Sequence, residues 1–168
     1  PGQAKAAADA AFKRVAELNE IMSDYETDSE LNELSRTGGQ GKAVPVSQDL
    51  WSLVVHAQRL AARSGGAFDI TVGPAVTLWR RARRTQTLPE PERLAEARKA
   101  IGFNLIQLNP KERTIELRVR GMKLDLGGIA KGYALDEAHK VLTKHGIARA
   151  LVTGGGDMAM SGAPPGAP

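Results

Sequence analysis

Apolar residues at Phe12, Val15, Leu18, Ile21 and Met22 mark one face of a helix that begins in the alanine-rich segment before them. The next stretch, SDYETDSELNELSR, is polar and rich in turn formers, with a short helical turn expected around Leu31 and Leu34. Ser47 then stands as the N-cap of a helix whose inner face is Leu50, Leu53, Val54, Ala57, Leu60 and Ala61. Ser64, Gly65 and Gly66 end it, and SGGAFDITVGP reads as a helix stop, a strand and a turn at Gly73 and Pro74. Residues 91–101 form a charged surface helix stopped by Gly102. The segment NLIQLNPKERTIELRVRGMKLDL reads as three short strands with turns at 109–113 and 120–121. Helical spacing resumes through Ile129, Ala130, Tyr133, Ala134, Ala138, Val141 and Leu142 and stops at Gly146. A strand at 150–152, the turn TGGGD and a last short strand follow. Helices, a strand meander, a helix and further strands in that order predict an α+β fold, a mixed sheet with packed helices, rather than a doubly wound parallel sheet.

Composition narrows the function classes. The 168 residues suffice for one domain spanning 1–168 with its own core. No apolar run reaches the roughly 18 residues of a membrane span, and PGQAKAAADAAF has neither the charged nor the apolar region of a signal peptide. With no cysteine there is neither a disulfide nor a thiolate metal site, a composition compatible with an oxidising compartment and with the cytosol. The net charge of +4 comes largely from clusters such as Arg80, Arg81, Arg83 and Arg84. Aromatic residues are 4% and none interleave with these arginines, so the stretch reads as a solvated basic loop and no nucleic-acid partner is expected. The three histidines, His56, His139 and His145, lack the spacing of a zinc site. Neither GxSxG nor GxxxxGK[ST] occurs.

Chemistry-capable residues gather in four stretches. In KLDLGGIAKGY, residues 123–133, Asp125 lies on the far side of a strand whose apolar face is Met122, Leu124 and Leu126. Gly127 and Gly128 allow close backbone approach to a ligand, and Lys131 opens the following helix. Strand, glycine turn and helix N-terminus together suit an anion such as a nucleotide phosphate; a tight connection with a surface lysine is the plain alternative. Ser23, Asp24, Tyr25, Asp28 and Ser29 read either as a turn and N-cap cluster or, at Tyr25, as a stacking surface for a flat ring. In SGGAFDITVGP, Asp69 either closes a turn or points from a strand end into a cleft. TGGGDMAMSG offers a turn or a second backbone surface before Asp157.

In this order, MSDYETDSELNELS, SGGAFDITVGP, LDLGGIAKGYALDEA and ALVTGGGDMAMSG followed by PPG closely resemble the FAD:protein FMN transferases of the ApbE family, long labelled thiamine-biosynthesis lipoproteins. The resemblance runs from about Phe12 to the last residue. It implies an ApbE-like domain that uses Mg²⁺ and FAD to attach FMN through a phosphoester to a threonine or serine of an acceptor flavoprotein, releasing AMP. It further implies that Tyr25 stacks on the flavin and that Ala67, Phe68 and Asp69 line the FAD pocket. Asp125 and Lys131 would contact the nucleotide, and the Gly128 carbonyl would be a magnesium ligand. By the same resemblance the full-length protein is lipid-anchored, in the bacterial periplasm or on the outer face of the inner membrane.

Against that pattern the chain reads as a partial domain. The family's opening strand would precede Pro1, and its later magnesium ligands would follow Pro168. One carbonyl is too few donors for that ion, so an incomplete metal site is expected. Two further classes stay open: an FAD- or nucleotide-binding module without transferase activity, and a basic interaction domain built on residues 80–84.

Overall fold

In the computed structural model, which describes residues 2–162, six α-helices and five short strands alternate along the described chain. They sort into two compact units. One is continuous, Ile21–Gly128; the other combines the residues up to Glu20 with those from Ile129 onward. The expected α+β class holds, and no described helix is long and apolar enough to cross a membrane.

The continuous unit holds α2 (Glu30–Ser35), β1 (Val44–Pro45), α3 (Gln48–Arg63), α4 (Gly73–Thr85), α5 (Pro91–Lys99), β2 (Ile106–Asn109) and β3 (Thr114–Leu117). The strands form an antiparallel sheet in the order β1-β3-β2, with Ile106 opposite Leu117 and Leu108 opposite Ile115. Of the predicted inner face of α3, Leu50, Leu53, Val54, Ala57 and Ala61 are buried and Leu60 is half-buried. Ser47 caps this helix, its Oγ accepting from Leu50 N at 3.2 Å, while its own N–H donates to the Glu30 carboxylate and so ties α2 to the start of α3. The two-residue β1 escapes the sequence pattern because it is too short to show alternation. As an edge strand it tolerates a proline, which has no N–H to donate.

Three sequence expectations need correction in this unit. Residues 80–84 are not a loop but the second half of α4, a helix whose first turn carries Pro74. A proline there loses nothing, because the first N–H groups of a helix have no partner within it. SGGAFDITVGP contains no strand: residues 64–71 turn, and only Val72 pairs, through one parallel bridge to Lys123. The third predicted strand is likewise only extended chain. Met122, Leu124 and Leu126 are buried in the expected alternation, but Leu124 N donates to Ser35 Oγ and Asp125 N to Ile70 O, so no ladder forms.

The other unit contains α1 (Gly2–Met22) up to Glu20, α6 (Ala130–Lys144) and the hairpin β4 (Leu151–Gly154) and β5 (Asp157–Met160), which packs on α6. In this part of α1 the buried residues are Ala7, Ala11 and Leu18, whereas Phe12 is 76% exposed. Small alanines set this face, and Phe12 lies one residue beyond Ala11, about 100° around the helix. Helix α6 ends as predicted. Gly146 has φ +79°, its N–H donates to Thr143 O, and Ile147 N donates to Leu142 O.

Glu137 joins the two ends of the chain inside this unit, accepting from Arg14 at 2.8 Å and from Lys140 at 2.7 Å. Burial alone would raise its carboxyl, but Lys140 and Arg14 outweigh this and hold it below a glutamate's ordinary 4.5. The resulting stability is present above pH 4.5 and lost as pH falls through the depressed native value. Acid titration of unfolding midpoints is therefore expected to show a loss of stability below pH 4.5 that is smaller in Glu137→Gln than in the parent chain.

Candidate flavin site

The SDYETDSELN stretch folds into a hydrogen-bonded loop between α1 and α2. Ser23 Oγ accepts from the N–H groups of Tyr25 and Glu26 at 3.3 Å. Ser29 Oγ donates to Ser23 O at 2.6 Å and caps α2 by accepting from Asn32 N. The turn and N-cap reading of the serines is therefore correct. The loop has a further effect, because it turns Asp24 inward, its side chain 9% exposed, and leaves Tyr25 outward at 75%. Beside Tyr25 lies an open cavity of about 350 Å³, lined also by Asp24, Ser35, Arg36 and Lys123.

At the centre of this site stands Arg80, from the outer half of α4. Its guanidinium donates to Asp24 and, at 3.1 Å, to Asp125 Oδ2, and it lies over the Tyr25 ring at 4.6 Å from the centroid. Burial alone would lower the pKa of this guanidinium; the hydrogen bond and charge of Asp24 and the charge of Asp125 raise it instead, so it stays a cation. Asp125 is held in turn. Its N–H donates to Ile70 O at 2.8 Å, its Oδ1 accepts from Gly127 N at 2.8 Å, and its side chain is 10% exposed. Two carboxylates against one guanidinium leave the cluster with a net charge of −1.

Arg80 is the functional candidate that sequence reasoning missed. A signal existed: taking Gly73 and Pro74 as a helix start puts residues 80–84 on a helix, and two aspartates in two separate motifs lacked a cation.

The GGAFD residues are placed differently from one another. Ala67 is exposed and Phe68 is half-buried, its ring 3.3 Å from where a Cβ on Gly128 would stand. The Asp69 carboxylate closes a turn. Its Oδ1 accepts from Thr71 N at 2.8 Å and Thr71 Oγ1 at 2.7 Å, and Thr71 Oγ1 accepts from Gly102 N. Asp69 therefore fixes the turn that positions Ile70 and, through it, Asp125.

For magnesium the donors are few. Gly128, an exposed residue, offers one carbonyl, the Asp125 oxygens are engaged by Arg80 and Gly127, and no three His, Cys, Asp or Glu cluster among the described residues. These residues do not make a magnesium site by themselves.

Lys131 belongs to the other unit. Its Nζ donates to Gly155 O at 3.0 Å and pairs with Asp157 at 3.3 Å, so the helix start and the TGGGD turn come together. Gly155 and Gly156 have φ of +58° and +92°, the two positive values that a type I′ hairpin turn requires. KLDLGGIAKGY is thus divided, with Asp125 and Gly128 in one unit and Lys131 in the other. The PPG segment lies outside the described residues.

This geometry can be set beside known proteins. The ApbE family profile matches residues 2–168. Among curated relatives, an FAD:protein FMN transferase of Treponema pallidum is 33% identical over 91% of the chain and 43% of its own length. One of Haemophilus influenzae is 31% identical over 87% of the chain and 43% of its own length. The solved flavin transferase ApbE of Vibrio cholerae superposes with a TM-score of 0.87 and 29% identity, covering 94% of this chain and 51% of that one. The ApbE protein of Thermotoga maritima gives 0.84 and 29%, covering 94% and 51%. The chain spans less than half the length of these two curated relatives and about half of the solved chains. The family match over nearly the whole chain, the superposition and the four ordered motifs agree: this chain belongs to the ApbE family.

Proposed function

We propose that this chain provides the FAD-binding part of a flavin transferase that moves FMN from FAD to a threonine or serine of an acceptor flavoprotein. The observation that carries the reading is an exposed Tyr25 held over Arg80 beside a cavity, in a chain whose relatives are named FAD:protein FMN transferases. In this reading Tyr25 stacks on the isoalloxazine ring, Ala67, Phe68 and Asp69 form the pocket wall, and Asp125 meets the nucleotide. The acceptor's hydroxyl oxygen bonds to the FMN-side phosphorus, the pyrophosphate P–O bond breaks, and AMP and a proton leave. Magnesium would neutralise charge on the phosphates, and the Gly128 carbonyl would be one ligand to it. Lipid anchoring and a periplasmic location extend the same reading and rest on family resemblance alone.

The test has two readouts. Titration with FAD is expected to quench flavin fluorescence saturably; absence of quenching would overturn the reading. Intact mass of an acceptor flavoprotein incubated with the chain, FAD and Mg²⁺ reports transfer as a gain of one FMN. Binding without that gain, repeated with a full-length relative as positive control, would assign the chain to the binding-module class.

A further inference from the structure

We propose that Arg80 is a positioning residue for flavin binding: its guanidinium backs one face of the Tyr25 ring and so pre-orders the other face for stacking. The proposal rests on the reading of Tyr25 as the flavin-stacking residue, and adds to it a residue that none of the four motifs contains.

A tyrosine that is 75% exposed has little packing to fix its ring. Stacking a ligand on a mobile ring loses part of the gain to ordering it, and fixing the ring beforehand removes that loss. Arg80 supplies the fixing. Its guanidinium carbon lies over the ring, 4.6 Å from the centroid and within cation–π range, on one side of a ring that is otherwise largely in solvent.

Arg80 is itself over-determined. Asp24 reaches it from the loop after α1, Asp125 from the extended segment before Gly127, and both carboxylates are nine-tenths shielded from solvent. A guanidinium suits this task because its fork serves two carboxylates in its plane while its face remains free for an aromatic ring. A lysine keeps the charge but has no plane. The chain of contacts also links Asp125 to Tyr25, so part of what Asp125 contributes to FAD binding passes through Arg80.

A double-mutant cycle read by FAD titration tests this. Arg80→Met is expected to weaken FAD binding about tenfold when Tyr25 is present and less than about twofold in a Tyr25→Ala background, with Arg80→Lys in between. An equal loss in both backgrounds, or no loss in either, would overturn the proposal, since Arg80 would then not act through Tyr25. Should Arg80→Met fail to fold, Arg80→Lys carries the cycle, because it leaves neither aspartate without a cation.

Failure of the underlying reading looks different. In that case the parent chain binds no FAD, and the backing role is decided by the NMR order parameter of the Tyr25 ring. A fall in Arg80→Met or Arg80→Lys would support it, and an unchanged value would overturn it.

Discussion

Gly73→Ala is expected to destabilise the chain by about 3 kcal/mol, a large effect for the addition of one methyl group. A Cβ at Gly73 would stand 2.4 Å from Lys123 O and 2.8 Å from Lys123 C, distances that no side-chain rotation can relieve because both atoms are backbone. The neighbouring residue, Val72, forms the bridge to Lys123, so making room means separating the start of α4 from the segment that carries Asp125. Arg80, on the same helix, would be drawn from its carboxylates as well. The control is Gly132→Ala in α6, where nothing lies within 4 Å of the added Cβ. Relief from glycine's flexibility there should leave stability unchanged or raise it by up to about 1 kcal/mol. Denaturant unfolding of both variants gives the comparison; equal midpoints would show that the Gly73 contact yields easily.

Tyr25→Ala is expected to weaken FAD binding by roughly 10- to 100-fold, the range of about 1–3 kcal/mol measured when an aromatic platform under a base is removed. Stability should change by less than about 0.5 kcal/mol, because the ring is largely in solvent and the loop is held by Ser23, Ser29 and Asn32. The two readouts therefore separate. Loss of affinity with an unchanged unfolding midpoint supports the stacking role, and unchanged affinity would remove Tyr25 from the site.

Sequence reading succeeded where local chemistry decides structure. Ser47 as a cap, the apolar face of α3, Gly146 as the stop of α6 and the two turns of the meander all depend on residues within about one turn of each other. It failed where tertiary partners decide. The segment around Asp125 has perfect strand alternation, yet its N–H groups go to Ser35 Oγ and Ile70 O, which lie far off in sequence. Gly73 and Pro74 signal a turn and a helix start equally well, and choosing the turn hid Arg80 among solvated arginines. Asp69 was recognisable as an important residue, but the direction of its carboxylate depends on Thr71 and Gly102. Within the site, then, the motifs supply the parts, and finding the long-range arginine that joins two of them depended on taking Gly73 and Pro74 as a helix start.

The ion pair between Arg14 and Glu137 has a consequence for how the chain is made. Its partners are 123 residues apart, and Gln3 Nε2 reaches His145 O across 142. At about 5–20 residues per second, a ribosome needs roughly 6–25 s to add the residues between Arg14 and Glu137. For that interval α1 is an amphipathic segment without its α6 partner, and the last residue of the central unit, Gly128, is added only nine residues before Glu137. Synthesis thus completes Ile21–Gly128 before α6, and α1 waits for its partner throughout.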